Sequence, residues 1–239
     1  LVGSEMCIRD RMVATSGMKW SILTQYLYTG TNSFTLLAIP LFLLAAKLMN
    51  TGGITKKLFA FCMKVVGWLP GGLGHVNILS SVIFAGMSGT AVSDAGGLGA
   101  IEIKAMNENG FDNDFSCCVT AASSTMGPII PPSIPMIIYG VTMNLSIPAM
   151  FMAGVIPGLV IALALSLVNV VFAYRNPEVL KHAKTMKFDF KESMKLFWKA
   201  LGALGLPILI LGGIYGGIFT PTESAAVSYT HLTLPTICS

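Results

Sequence analysis

The hydrophobic pattern of this chain consists of long apolar runs separated by short polar or glycine-rich interruptions. Phe34–Met49, Val155–Tyr174 and Ala200–Phe219 are apolar over nearly the length that crosses a bilayer, which takes about 20 residues in a helix. Ile54–Leu69 instead mixes lysines with leucine, phenylalanine and tryptophan, a composition typical of an amphipathic helix on a membrane surface. The pattern therefore predicts an all-α integral membrane protein.

The apolar stretch Val76–Ala100 differs from these runs because it is rich in small residues. It contains five glycines within fourteen residues: Gly86, Gly89, Gly96, Gly97 and Gly99. Inside a helix each glycine is about 1 kcal/mol less favourable than alanine, so a continuous helix is disfavoured. The sequence predicts two half-helices joined by a turn at Met87–Thr90.

The apolar stretch Phe115–Val141 has an interruption of another kind. Between Gly127 and Pro135 it carries four prolines within eight residues. Each proline removes a backbone donor and restricts the residue before it, so a helix cannot continue through this segment. We expect a broken transmembrane helix over about 115–141, with its unwound part in the middle.

Composition agrees with a membrane protein and excludes several function classes. Of 239 residues, 54% are hydrophobic and only 11% are charged, whereas soluble domains carry about 25% charged residues. No Asp, Glu, Lys, Arg or His occurs in the sixty residues from Phe115 to Tyr174, which is room for two crossings. The net charge of +4 is scattered, so a soluble enzyme, a disordered tail and a nucleic-acid partner are all disfavoured.

The distribution of basic residues orients the predicted spans. Lys56, Lys57 and Lys64 follow the first apolar run, Arg175–Lys199 is a basic loop, and the turn at Thr142–Pro148 has no charge. Because basic loops stay in the cytoplasm, both basic regions are expected inside and the turn outside. The glycine-rich segment must then enter and leave on the same side, as a re-entrant hairpin over about 76–104.

The two ends of the chain differ from the middle in composition and are related through their coding DNA. Met6–Arg11 can be encoded by a strand whose reverse complement encodes Val-Ser-Tyr-Thr-His, the sequence of Val227–His231. Such a pair is typical of a sequencing adaptor translated at both ends of an assembled fragment. We therefore expect residues 1–11 and 227–239 to be adaptor artefacts and exclude them from fold reasoning.

Two helix interruptions in one membrane protein point to a binding function. Discontinuous helices place free amides and carbonyls at mid-membrane, where amides suit anions and carbonyls suit Na⁺. The alternative for the hairpin alone is that its small residues only permit close helix packing. The proline-rich break and the charge distribution favour an ion or substrate site.

Several segments together resemble one family, the DctM-like large membrane subunit of tripartite ATP-independent periplasmic (TRAP) transporters. The resemblance runs through nearly all of Ser33–Ala226 and rests on motifs in the family's order. These are Phe34–Phe42 (FTLLAIPLF), Met49–Gly53 (MNTGG), Gly86–Asp94 (GMSGTAVSD), Pro128–Gly140 (PIIPPSIPMIIYG), Phe151–Gly158 (FMAGVIPG) and Thr220–Glu223 (TPTE).

The resemblance implies a Na⁺-coupled secondary transporter that imports organic acids, such as C4-dicarboxylates, as a multi-pass protein of the bacterial inner membrane. It implies two partners besides the lipid bilayer, a small DctQ-like membrane subunit and a periplasmic DctP-like substrate-binding protein, and no cofactor beyond the coupling ion. The family fold is an elevator of two inverted repeats. On that pattern, residues 12–174 form the first repeat, 175–199 a cytoplasmic linker and 200–226 the start of the second.

The same resemblance assigns candidate site residues at both interruptions. Na⁺ is expected at the hairpin tip, with the substrate cavity beside it. Asp94, an acid inside a membrane segment and hence a functional candidate, has two competing roles, facing the Na⁺ site or capping amides of the second half-helix. The complete set of candidates is Ser88, Gly89 and Thr90 at the tip, Ser93 and Asp94 after it, and Pro128, Ile130, Pro131, Pro132 and Ser133 in the unwound segment.

Three other functions compete with this interpretation. Gly86–Gly89 has the G-x-S-G form found around the serine of intramembrane rhomboid-type proteases, but such a serine needs a base. The candidate bases His75 and His182 lie outside any other apolar span. A different inverted-repeat Na⁺/anion symporter would share the architecture without this order of motifs, and a scaffold would have no need of broken helices.

Overall fold

The computed structural model describes residues 25, 28, 32–51, 53–176, 205, 207–227 and 230. Within these ranges the chain forms helices and turns and contains no strand, which confirms the all-α prediction for this part of the protein. Residues 177–199 of the predicted linker and nearly all of the two predicted adaptor segments lie outside the described residues, and the inverted-repeat and elevator assignments remain predictions.

The helices follow one another with short connections. A 3₁₀ turn at Phe34–Leu37 leads directly into the first helix. The α-helices are α1 (Ala38–Thr51), α2 (Ile54–Val66), α3 (Gly72–Ser88), α4 (Ala91–Gly97), α5 (Gly99–Glu108), α6 (Asn113–Ser124), α7 (Ile134–Thr142) and α8 (Ile147–Arg175). Further helical residues occur at 207–215 and 221–227.

Helix α8 is the one helix among the described residues that is both long and apolar enough to cross a bilayer. It has 29 residues, and only 11% of its most apolar window is buried against the rest of the chain. The core helix of a soluble protein would bury most of its apolar side chains. The exposed side chains of α8 include Ile156, Leu163 and Leu167, a surface that suits contact with lipid.

Helices α3, α4 and α5 form a hairpin with antiparallel arms. Ser80 on α3 hydrogen-bonds Glu102 on α5, and one turn earlier Asn77 lies 3.9 Å from the Met106 sulfur, one turn later on α5. Residues earlier on α3 thus pair with residues later on α5, so the two arms are antiparallel and the hairpin turns between α3 and α4. The turn is at Gly89-Thr90.

Helix α6 packs along the hairpin through polar side chains. Asn77 Nδ2 donates to Thr120 Oγ1 (2.7 Å), and Ser123 Oγ donates to Asn77 Oδ1 (2.7 Å). All three side chains are buried, and a buried polar group is tolerated where its hydrogen bonds are made. Larger apolar side chains fill the adjoining core, including Phe42, Leu58, Phe84, Met87, Leu98, Met106, Ile137 and Phe151.

The beginning of the hairpin is hydrogen-bonded to the C-terminal half of α8. Asn169 Nδ2 donates to the Gly71 carbonyl (3.0 Å), and Ser166 Oγ lies 2.7 Å from His75 Nδ1. Gly71 has φ +73°, a conformation that favours glycine. Two polar residues on one face of an otherwise apolar span thus explain how the hairpin is held against it.

The TPTE motif begins a helix, as its sequence suggests. Glu223 accepts hydrogen bonds from the Thr220 amide and hydroxyl, both 2.8 Å, and the Glu223 amide donates back to Thr220 Oγ1 (3.3 Å). This reciprocal arrangement is a capping box. The hydrogen bonds from Thr220 also hold the pKa of the exposed Glu223 carboxyl below its usual value.

Candidate functional site

The first interruption lies between Ser88 and Ala91. Helix α3 ends at Gly89, whose φ of +64° turns the chain, and Thr90 is extended. Thr90 Oγ1 accepts a hydrogen bond from the Ser93 amide (3.2 Å) and so caps α4. The chain therefore breaks within the segment that the glycine pattern indicates.

The second interruption separates α6 from α7 by the nine residues 125–133. Its conformation is set by Ser133, whose hydroxyl donates to the Pro128 carbonyl (2.5 Å) and accepts from the Met136 amide (3.3 Å). The bond between Pro131 and Pro132 is cis. Ser133 is fully buried, so a single side chain both closes the unwound segment and starts the next helix.

The two interruptions meet. The Ile134 amide donates to the Gly89 carbonyl (3.3 Å), which joins the start of α7 to the hairpin tip. A Cβ at Gly89 would lie 2.5 Å from the Pro132 carbonyl oxygen, and a Cβ at Gly127 would lie 2.9 Å from the Thr90 carbonyl oxygen. Glycine at both positions therefore lets two backbone segments approach as closely as they do.

Helix α8 packs against the unwound segment. Its Gly154 and Gly158, four residues apart, face Ile129 and Ile130 so closely that a side chain on either glycine would overlap them. This is the small-xxx-small pattern of membrane helix contacts, used here against an unwound chain. Ile130 is therefore a packing residue, and its side chain also joins the cluster around Ile78 and Met126.

The structure thus brings most of the predicted site residues together. Gly89 lies against Pro132, and Thr90 lies against Gly127. The hydroxyl of Ser88, the residue before Gly89, is buried and has no hydrogen-bond partner in the described part of the chain. A hydroxyl oxygen without a partner has the chemistry of a cation ligand. Ser93, by contrast, is half-buried and contributes its amide to the helix cap.

Asp94 lies in the first turn of α4 and does not cap the helix. It is 1% exposed and faces the hydroxyls of Ser81 on α3 and Ser124 on α6. Both hydroxyls belong to side chains that can donate hydrogen bonds to this carboxylate. The capping role considered for Asp94 is wrong, because Thr90 performs it.

Glu102 is a residue that sequence reasoning missed. It is 1% exposed in the second arm of the hairpin. Its Oε1 faces Ser80 and its Oε2 has no partner. The sequence contains a signal for this burial. An interval of four residues keeps side chains on one face of a helix, and this interval relates Asp94, Leu98, Glu102 and Met106, all of which are buried.

The serine protease alternative fails on geometry. His75 is bonded to Ser166 and lies thirteen residues before Ser88 on the same helix, or roughly 20 Å along its axis. A base must approach within hydrogen-bond distance of the serine that it activates. The other candidate, His182, lies outside the described residues.

Comparison with known proteins decides between the remaining interpretations. Residues 7–236 match the family described as "Tripartite ATP-independent periplasmic transporter, DctM component". The chain belongs to this family. The match begins and ends inside the segments that the codon pattern attributes to adaptors. The match confirms the family resemblance, and the family is one of membrane transporter permeases rather than enzymes.

Curated relatives support the assignment over most of this DctM chain. The sialic acid TRAP transporter permease protein SiaT of Haemophilus influenzae is 45% identical over 233 residues, which cover 92% of this chain and 37% of that protein. The sialic acid large permease SiaM of Vibrio cholerae is 44% identical, covering 91% and 50%. The C4-dicarboxylate large permease DctM of the same species is 40% identical, covering 83% and 43%. The chain thus spans half or less of these relatives' length.

Proposed function

We propose that this chain is the permease part of a Na⁺-coupled secondary transporter that imports an organic acid delivered by a periplasmic binding protein. A small membrane subunit completes the complex in the bacterial inner membrane. Relatives named for sialic acid and for C4-dicarboxylates favour a carboxylate without singling out the C4 class. Because the chain belongs to the DctM family, the alternative of a different inverted-repeat Na⁺/anion symporter is disfavoured.

One observation carries the proposal: two helix interruptions contact each other. The Gly89 and Pro132 carbonyls lie at this contact, and Ser88, whose buried hydroxyl has no partner among the described residues, is the residue before Gly89. Carbonyl and hydroxyl oxygens of this kind are suitable Na⁺ ligands. Unwound backbone at membrane depth is tolerated where protein or a wet cavity satisfies it, and a transport site supplies such a cavity.

The same contact supports a re-entrant hairpin. The tip reaches residues 127 and 132, which lie near the middle of the segment from Asn113 to Thr142. If that segment crosses the membrane, the tip lies near its mid-plane and both arms return to one side. The basic residues of α2 and the uncharged turn before α8 then support a cytoplasmic location for that side.

Ser88→Ala is the sharpest test of the tip as a Na⁺ site. Because the Ser88 hydroxyl has no hydrogen-bond partner among the described residues, its removal breaks no hydrogen bond there. We expect the variant to unfold at the wild-type temperature without Na⁺ and to need about tenfold more Na⁺ for half-maximal uptake, equivalent to about 1.4 kcal/mol. The measurement is uptake against Na⁺ in proteoliposomes that hold the full-length complex and its binding protein.

Thr142→Ala is the matched control for this test. Thr142 is exposed and its hydroxyl bonds only within its own helix, to the Ile138 carbonyl (2.6 Å) and the Tyr139 carbonyl (3.1 Å). We expect its Na⁺ dependence to equal that of the wild type. Wild-type Na⁺ dependence in Ser88→Ala would show that the hairpin tip is a packing element and that the ion binds elsewhere.

Cysteine accessibility tests the predicted orientation. Lys57→Cys is expected to react with a membrane-impermeant thiol reagent only from the cytoplasmic side, and Asn144→Cys only from the periplasmic side. Both residues are exposed. Cys117 and Cys118 are also exposed and are replaced by serine beforehand. Labelling of both positions from one side would contradict the re-entrant hairpin. Lys184→Cys, expected in the cytoplasm, lies outside the described residues.

A further inference from the structure

One asparagine joins the hairpin to α6 at a distance from both interruptions. Asn77 on α3 is fully buried. Its Nδ2 donates to Thr120 Oγ1 (2.7 Å) and its Oδ1 accepts from Ser123 Oγ (2.7 Å), so one amide bridges two successive positions on a face of α6. One turn further along α3, Ser81 Oγ donates to Ser123 Oγ (3.2 Å). Three buried hydrogen bonds therefore join α3 to α6.

The proton positions in this network allow one orientation of the Asn77 amide. Thr120 Oγ1 donates its proton to the Ser116 carbonyl (2.8 Å), so towards Asn77 it can only accept. Asparagine carries its donors on nitrogen and its acceptor on oxygen. The nitrogen must therefore face Thr120 and the oxygen must face Ser123. A slide of α3 along α6 would leave both ends of this buried amide without partners, which is costly.

The apolar contacts between the same two helices do not fix their alignment in this way. Ile78 on α3 packs with Val119 and Met126, and such contacts depend on buried area rather than on direction. Lipid chains are as apolar as these side chains, so within a bilayer their burial gives no hydrophobic driving force for one alignment. The Asn77 amide is thus a directional contact among non-directional ones.

The alignment of α3 on α6 decides where the hairpin tip meets the unwound segment. Successive hydrogen bonds follow in the same order along both helices, so α3 and α6 are parallel. Twelve residues after Asn77 the chain reaches Gly89, and twelve residues after Thr120 it reaches Pro132. Gly89 and Pro132 are in close contact. Both chains thus leave the Asn77 bridge in one direction and meet again at the proposed Na⁺ site.

We propose that Asn77 is a positioning residue for the Na⁺ site. Its hydrogen bonds to Thr120 and Ser123 fix α3 against α6, so that the hairpin tip and the unwound segment present their oxygens to one ion. This inference rests on the proposed function and adds to it a residue that does not touch the ion. When the alignment is loosened, only a fraction of the molecules has the tip in contact with the unwound segment, and the apparent Na⁺ affinity falls by that fraction.

Asn77→Leu tests this role, because leucine has the branched outline of asparagine without its polar atoms. Neither partner is left without a hydrogen bond. Thr120 Oγ1 keeps the Ser116 carbonyl (2.8 Å), and Ser123 Oγ can donate to the Thr120 carbonyl (3.0 Å). The loss of stability should therefore be small. We expect an unfolding midpoint close to that of the wild type and a requirement for about five- to tenfold more Na⁺ at half-maximal uptake. Uptake is measured in proteoliposomes with the full-length complex and its binding protein.

Hydrogen exchange measures the positioned contact itself. The Ile134 amide donates to the Gly89 carbonyl (3.3 Å), so its exchange rate reports how often the tip leaves the unwound segment. In the purified full-length permease with its small subunit, we expect this amide to exchange about fivefold faster in Asn77→Leu than in the wild type. Amides in the middle of α8 should keep their wild-type rates. An equal increase at Ile134 and in α8 would show a general loss of stability and contradict the positioning role.

Asn107→Leu is the matched control, because it makes the same chemical change at another hydrogen bond between the hairpin and α6. Asn107 Nδ2 donates to Asn113 Oδ1 (2.8 Å) at an exposed position. We expect this variant to keep the Na⁺ dependence and the Ile134 exchange rate of the wild type.

Two substitutions of Thr120 replace the test if Asn77→Leu does not fold. Thr120→Val removes the oxygen that accepts from Asn77 Nδ2, whereas Thr120→Ser keeps it. A raised Na⁺ requirement is expected in Thr120→Val and a wild-type requirement in Thr120→Ser. Equal Na⁺ requirements in these two variants would overturn the positioning role.

The Na⁺ dependence of Asn77→Leu separates this inference from the function on which it rests. Wild-type Na⁺ dependence in Asn77→Leu overturns the positioning role, whatever happens to the unfolding midpoint. If Ser88→Ala at the same time needs more Na⁺, the proposed function stands and only the role of Asn77 is wrong. If neither variant differs from the wild type, the hairpin tip is not the ion site and both proposals fail.

Discussion

Replacing Gly89 by alanine is expected to abolish uptake. Gly89 has φ +64°, where a Cβ costs roughly 1–2 kcal/mol, and that Cβ would lie 2.5 Å from the Pro132 carbonyl oxygen. The overlap is with backbone, which a rotamer change cannot relieve. The tip must therefore move away from the unwound segment, and the oxygens of both interruptions no longer converge. We expect uptake to fall by more than about a hundredfold, equivalent to about 2.7 kcal/mol.

Gly96→Ala is the control for this substitution, because it makes the same chemical change in the same hairpin. Gly96 lies within α4 and a Cβ there has no neighbour within 4 Å, so the helix should become slightly more stable. Uptake and unfolding midpoint are measured for both variants in the full-length complex. Equal uptake by Gly89→Ala and the wild type would show that transport does not need the close contact between the tip and Pro132.

Replacing Ser133 by alanine is expected to destabilise the protein strongly. The substitution removes the donor to the Pro128 carbonyl and the acceptor of the Met136 amide at a fully buried position. Loss of a helix cap costs about 1 kcal/mol, and a buried group left unsatisfied costs about 1–3 kcal/mol more. We expect a loss of about 2–4 kcal/mol and a lowered Na⁺ affinity, since the unwound segment loses its closing contact.

The chain contains a closely matched control in Ser146. Ser133-Ile134-Pro135 and Ser146-Ile147-Pro148 are the same tripeptide at the start of two helices. Ser146 makes no side-chain cap hydrogen bond and is exposed, so Ser146→Ala should leave the unfolding midpoint nearly unchanged. The midpoints of both variants are compared by thermal unfolding of the purified complex. Similar midpoints would contradict the role assigned to Ser133.

Sequence alone identified the interruptions because their causes are local. Glycine permits the left-handed turn at Gly89, and proline prevents a helix between Pro128 and Ser133, whatever surrounds them. The family resemblance was equally accessible, since it depends on the order of motifs along the chain. Apolar length and the scarcity of charge indicated a membrane protein before any contact was known.

The partners of individual side chains required the tertiary structure. Sequence reasoning considered Asp94 as a cap for α4, and only the structure shows that Thr90 caps this helix. The residues that follow Glu102 are polar, which does not indicate a buried position. In the structure Glu102 contacts Ser80, which is 22 residues away in the chain. Distances between such residues depend on how helices pack, which local sequence does not specify.

The amino-acid sequence by itself thus determined where this protein's helices break and to which family it belongs, because backbone preferences and motif order act over a few residues. The tertiary structure decided that the two breaks meet at Gly89 and Pro132, and that Asp94 and Glu102 are both buried. The physical reason is that burial and contact follow from the packing of distant segments. A glycine can permit a close approach, but the segment that approaches comes from elsewhere in the chain.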